Sequence, residues 1–179
     1  MIDGEAQLIQ RAIRGEASAF GSLYDQYHPQ IYRFVLLKVN RREEAEDLAH
    51  QVFLHAFQNI GKYADVGFPF SSWLYRIARN QTIDYYRTRK KDVGLDEIDP
   101  DLAAHSEHHE ERVDHRLELG TVMVAIQTLK PEYQDVLIMR FIEDLPIRDV
   151  AHAIEKSEGA VKLIQHRAIR ELKKILSVA

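Results

Sequence analysis

The sequence predicts an all-α protein, with two small helical domains joined by a flexible acidic linker and the second domain ending in a helix-turn-helix. Three observations carry that reading. Apolar residues recur at three- and four-residue steps on both sides of a central segment, no stretch alternates with a period of two, and residues 92–115 lose apolar periodicity altogether. The 179 residues suit one domain or two small ones, each near the lower limit for a self-sufficient core. With 45% hydrophobic and 29% charged residues, the composition is that of an ordinary globular chain. Cysteine is absent, which excludes disulfides, thiolate metal sites, haem thioether links and cysteine nucleophiles. No apolar run approaches the roughly 20 residues that span a bilayer. The first residues, Met1 to Glu5, are acidic where a signal peptide is basic, so the expected location is the cytoplasm.

Taken in order, Leu8, Ile9, Ala12 and Ile13 predict a short opening helix that ends near Gly15. A second helix runs from about Ala17 to Val39, and Pro29 should kink or split it. A third covers about Glu43 to Ile60, with acids in the first turn where the helix dipole favours them. The stretch from Gly61 to Pro69 has two glycines and a proline and reads as a loop. The fourth helix runs from about Ser71 to Lys90, with Phe70, Trp73, Leu74, Ile77 and Tyr85 inward. Beyond the linker come helices over about Val113–Leu129, Pro131–Ile142, Pro146–Ile154 and Glu158–Ile175. Pro131 is suited to a first helical turn. The domains are accordingly 1–91 and 116–179, with the linker at 92–115.

Charge is segregated along this chain, although its formal net value is only -4. Residues 70–91 carry six cations against Asp84, residues 92–115 carry nine acids against Arg112, and residues 158–174 turn basic again. An acidic whole with basic helices argues against a protein that grips nucleic acid by charge alone.

The last forty or so residues have the makings of a DNA-reading helix-turn-helix. Ile147, Val150, Ala151 and Ile154 give its first helix an apolar face, and small Ala151 permits a close crossing. Glu155, Lys156 and Ser157 form the turn, with Ser157 as the N-cap of the second helix. Opposite the buried stripe of that helix stand Lys162, His166, Arg170 and Lys173, flanked by Gln165 and Arg167. Lysine and arginine suit phosphates or guanine edges, and glutamine suits adenine. On the fourth helix, Arg76, Asn80, Asp84 and Arg87 share an outward strip. Tyr63 and Phe68 precede it on the loop, and aromatics beside cations are what unstacked single-stranded bases require.

Together these motifs resemble the extracytoplasmic-function (ECF) sigma factors of bacterial RNA polymerase. The run from Trp73 to Asn80, followed by Asp84 and Arg87, is similar to their promoter −10 helix. Glu46-Asp47-Leu48 and then Val52-Phe53-Leu54 resemble their polymerase-docking helix. Leu129-Lys130-Pro131-Glu132, Val136-Leu137 and Arg140, followed by Gly159 to Lys162 and Gln165 to Ala168, resemble their −35-binding domain. The resemblance implies a chain that binds core RNA polymerase and directs it to promoter DNA. Asp47, Leu48, His50, Gln51 and Leu54 would dock on polymerase. Tyr63, Phe68, Arg76, Asn80, Asp84 and Arg87 would serve the −10 element, with the 61–69 loop receiving a flipped base. Ser157, Lys162, Gln165, His166, Arg167 and Arg170 would serve the −35 element. It also implies an anti-sigma partner, no cofactor, no membrane contact of the chain's own, and a monomer when free. The chain departs from the family pattern at His50-Gln51, where a glutamine–glutamate pair is usual, and at Leu163-Ile164, often serine and arginine.

Two other readings remain at this stage. A helix-turn-helix regulator that never docks on polymerase would explain the last domain, but it leaves Arg76, Asn80, Asp84 and the loop aromatics without a role. The linker histidines His105, His108, His109 and His115 could also gather a metal with nearby glutamates. Catalysis finds no support: no glycine-rich phosphate loop, activated serine or repeated carboxylate–histidine motif is present.

Overall fold

In the computed structural model of the chain, residues 4–92 and 113–177 are described, apart from the side chains of 90–92 and 113–119. Every regular element among them is helical. The first domain holds α1 (Glu5–Ile13), α2 (Ala17–Val39), α3 (Arg42–Asn59), a 3₁₀ turn (Ile60–Lys62) and α4 (Phe70–Asp92). The second holds α5 (Val113–Gln127), α6 (Pro131–Leu137), α7 (Ile147–Ala153) and α8 (Glu158–Leu176). Residues 93–112 of the expected linker lie outside the described residues, whereas Val113 to His115 already begin α5.

Periodic apolar spacing produces the first core. From α2 come Phe20, Leu23, Tyr27, Ile31, Phe34 and Val35, from α3 Ala45, Leu48, Val52 and Phe53, and from α4 Phe70, Leu74, Tyr75 and Ala78, all buried. Pro29 does not split α2, which runs unbroken through it. Buried residues on both sides of the proline hold the helix together, and packing outweighs the one lost backbone bond. Asn40 then ends α2 in the left-handed region at φ 54°, its N–H donating to the Leu36 carbonyl at 2.8 Å.

In the second domain Val136, Leu137, Ile138 and Met139 pack with Val150, Ala153, Val161 and Ala168, and the buried apolar residues of both domains form one contiguous cluster. The expected helix over 131–142 is two pieces: α6 passes into a π turn at Ile138–Ile142. Within that region the Arg140 guanidinium donates to the Leu145 carbonyl. Ser157 caps α8 as expected, its Oγ accepting from the Ala160 N–H at 3.2 Å. Trp73 differs from expectation: it is only partly buried and packs at the edge of the core, where it meets Tyr63 and Phe70 at ring separations of 5.2 and 5.4 Å.

The two domains pack directly on each other. Helix α4 lies against α7, and α2 against the π turn. This contact positions the site described next.

Candidate nucleic-acid interface

The expected −10 strip on α4 is divided between open and covered residues. Asn80 is exposed, and Asp84 and Arg87 pair with each other at 2.9 Å on the open surface. Arg76 is under the second domain. Its Nη2 donates to the His152 carbonyl at 2.8 Å, and Nη1 stands 3.6 Å from Glu155.

The two loop aromatics also differ. Tyr63 is half-buried, edge-on to Phe70 at 5.2 Å, which makes it part of the pocket wall more than a free stacking platform. Phe68 stacks on the His152 ring at a centroid distance of 4.0 Å and an interplanar angle of 14°. The Arg148 guanidinium lies 4.7 Å from the Phe68 ring centre and donates to the Gly67 carbonyl at 2.5 Å. Gly67 takes φ +80°, a backbone region that favours glycine, and its N–H bonds Asp65 at 2.9 Å to close the tip of the loop. A cleft of 220 Å³ runs along this loop, lined by Lys62, Tyr63, Val66, Phe68, Trp73 and Arg76 among others, with His152 as its contribution from the second domain.

The recognition helix is mostly open. Lys162, His166, Arg167 and Arg170 are exposed along α8, and Ser157 is exposed at its start although its oxygen is taken by the cap. Gln165 is partly buried and accepts from Arg140 Nε at 3.3 Å, so its carbonyl oxygen braces α8 against the π turn. Leu163, 49% exposed, adds an apolar patch among the cations.

On α3 the expected docking residues form one outward face. Asp47, His50, Gln51 and Leu54 are exposed there, and Leu54 is 56% so. Leu48 is the exception: at 5% exposure it points into the core and supports the face from beneath, because it falls on the inward stripe with Ala45 and Val52. Phe57, 47% exposed one turn beyond Leu54, extends the face and was legible from the 50, 54, 57 spacing. His50 stacks loosely on His28 at 5.9 Å, and burial, helped by His50, pushes the His28 imidazole below its ordinary pKa.

Sequence reasoning missed the residues that join the domains. Lys38, almost wholly buried, donates to Asp135 at 2.7 Å and to the Pro131 carbonyl at 3.1 Å. Asp135 also takes Arg79 Nε at 2.9 Å. Burial lowers the Lys38 pKa against the opposing pull of Asp135. Glu143 accepts both Arg33 Nε at 2.7 Å and Nη2 at 2.6 Å, and the Tyr75 hydroxyl donates to it at 3.0 Å. The signal available was a charged residue in an apolar run: Lys38 stands amid Val35, Leu36, Leu37 and Val39, and Asp135 precedes Val136 and Leu137.

Among the described residues, no group of three or more histidine, aspartate or glutamate side chains is placed to hold a metal. His105, His108 and His109 lie outside the described residues, and the side chain of His115 does also. No described helix is long and apolar enough to cross a membrane.

The described surface thus holds a partly covered strip on α4, an open basic face on α8 and an outward face on α3. The sequence matches Sigma-70 region 2 over residues 23–92 and Sigma-70, region 4 over residues 125–174. It is 34% identical over 173 residues to the ECF RNA polymerase sigma factor BldN of Streptomyces coelicolor, an alignment that covers 95% of this chain and 65% of that protein. It is 32% identical over 178 residues to the ECF RNA polymerase sigma factor SigW of Bacillus subtilis, with 94% of each covered. The fold is similar to that of CnrH, solved in complex with the cytosolic domain of CnrY, with a TM-score of 0.74 and 22% identity over 98% of both chains. The chain belongs to the ECF sigma factor family.

Proposed function

We infer that this chain binds core RNA polymerase and directs it to specific promoters, acting as the specificity subunit of an enzyme and not as an enzyme itself. The single observation that carries this reading is the match to both sigma regions, in family order, in a chain whose separate helical domains each present a charged helix to solvent. Region 2, within residues 1–91, docks on polymerase through Asp47, His50, Gln51 and Leu54 on α3. It melts and reads the −10 element with Tyr63, Phe68, Arg76, Asn80, Asp84 and Arg87. Extruding a base costs a few kcal/mol of unstacking, which an aromatic loop beside cations offsets.

Region 4, within residues 116–179, lays α8 in the major groove at the −35 element. Lys162, His166, Arg167 and Arg170, exposed along it, meet bases or phosphates. The Ser157 cap holds the start of that helix, and Gln165 contributes from its brace with Arg140. The linker between them threads the basic RNA path of polymerase with its carboxylates in the place of phosphates. An acidic chain leaves most of the nonspecific grip on DNA to polymerase, so it works in the cytoplasm as a monomer that binds promoter duplex poorly alone.

A protein partner also fits, because the similar CnrH was solved with the cytosolic domain of CnrY. An anti-sigma factor covering the exposed Leu54 and Phe57 of α3 would compete with polymerase for this chain.

Transcription reconstituted with core polymerase from the same source, on a genomic fragment library, tests the reading. The expected result is a restricted set of start sites that appear only when the chain is added. Start sites identical with and without the chain would overturn it, as would a dimer that binds a palindromic duplex without polymerase.

A further inference from the structure

On the −10 reading of Phe68 and Arg76, what covers these two residues regulates access to promoter DNA. Both residues are occupied by the chain's own second domain. The His152 ring stacks on Phe68 at 4.0 Å and 14°, the near-parallel contact that a nucleobase makes with an aromatic platform. Arg76 is taken by the His152 carbonyl and by Glu155, a carboxylate where a phosphate oxygen would otherwise sit. Behind the pocket the domains are joined further, where Glu143 holds Arg33 and Asp135 holds Lys38 and Arg79.

We propose that the second domain is an intramolecular plug for the −10 pocket: in the free chain His152 takes the place of the flipped base on Phe68, and the chain must open before it can bind promoter DNA. Geometry requires the opening. Elements centred at −10 and −35 lie about 25 base pairs apart, about 85 Å at ~3.4 Å per pair. A compact chain of this length has a radius of gyration of only about 16 Å. The domains therefore cannot stay packed while each holds its element.

The contact is also built to release. Arg76 Nε and His152 Nδ1 are both buried without a hydrogen-bond partner. An open groove of 440 Å³ runs along this seam at the surface, lined by Phe68, Arg76, Arg148, His152, Glu155 and neighbours. These two unpaired nitrogens make the contact at the pocket weaker than the fully paired Lys38–Asp135–Arg79 group behind it.

Small-angle X-ray scattering and DNA binding on the full-length chain test this. Arg33→Glu breaks the Glu143 contact from an exposed position, and Arg148→Glu independently removes the hold on Gly67 and Phe68. Circular dichroism is the control that both variants remain helical. A fluorescein-labelled single-stranded 12-mer of random sequence, read by anisotropy, serves as the DNA probe, since stacking tolerates any base.

Each variant is expected to raise the radius of gyration by about 5 Å or more and to bind the oligonucleotide about five-fold tighter or better, as the competent fraction grows. Both substitutions add negative charge, so electrostatics alone would weaken binding. Adding Phe68→Ala to either should cancel the gain. Scattering that neither variant changes overturns the closure, and expansion without tighter DNA binding overturns the plug. Scattering involves neither polymerase nor promoter, so failure of the sigma reading has its own signature: no start sites from wild type or open variants alike.

Discussion

Arg76 and Asn80 stand one turn apart on α4 in opposite circumstances, the first held by the second domain and the second open to solvent. Asn80→Ala removes no buried contact, so stability should stay within about 0.5 kcal/mol and polymerase co-elution should be intact. Promoter opening, followed by permanganate reactivity of unpaired thymines, should fall, and equal opening by both proteins would refute the role. Trp73→Ala should cost less than the ~3–5 kcal/mol of a fully buried large aromatic, because Trp73 lies at the pocket edge. Urea unfolding measures the difference. His152 adds a dependence on pH. Burial first, and Arg76 next, push its imidazole below the ordinary value, against Asp149 and Glu155, while Arg148 stands on the same helix. Asp149 itself is raised by burial. The closed form binds fewer protons at His152 than the open form, so closure is favoured at higher pH and weakens as pH falls through about 6.5, the ordinary histidine value. The radius of gyration should grow on acidification, and His152→Gln should flatten that response; an identical profile in the variant would contradict it.

At the scale of elements, the helices with a strong apolar period were legible in the sequence. Helices α2, α3 and α8 follow Leu23/Tyr27/Ile31, Ala45/Leu48/Val52 and Val161/Ile164/Ala168, because one face of each must be buried. The Ser157 cap was legible from residue type and position alone. Ser157→Ala should destabilise region 4 by about 1 kcal/mol through loss of one N–H partner, read from urea unfolding, with a null effect contradicting the cap. The π turn after α6 was not legible, since Ile138 to Ile142 carry the same apolar pattern as a continuing α-helix. Neither was the continuity of α2 through Pro29, where tertiary packing overrides a local preference. The site divided likewise. The α8 cations and the α3 face follow from helical period, which also turns Leu48 inward with Ala45 and Val52, whereas the contact of Gln165 with Arg140 depends on how two elements pack.

For the whole molecule, contacts between the domains decide what is available to partners, and a lone charge in an apolar run marks such a contact without naming its partner. Lys38, Asp135 and Arg79 come from α2, α6 and α4 and meet only once both domains are packed. Asp135→Ala leaves a buried lysine uncompensated, a loss on the order of 3–5 kcal/mol that should appear first as separation of the domains. Differential scanning calorimetry should show the single wild-type transition split or broadened, and an unaltered transition would contradict the coupling. Closure also covers one of the promoter-reading cations: Glu155 of the second domain stands against Arg76 until the domains part. The α3 face is exposed while the domains are packed together, so docking can precede opening. The measurement that tests the central claim most directly is size-exclusion co-elution with core RNA polymerase from the same source, wild type beside Asp47→Arg. The account predicts a stoichiometric complex for the wild type and its loss in the folded variant. A correctly folded wild type that elutes apart from polymerase would contradict it.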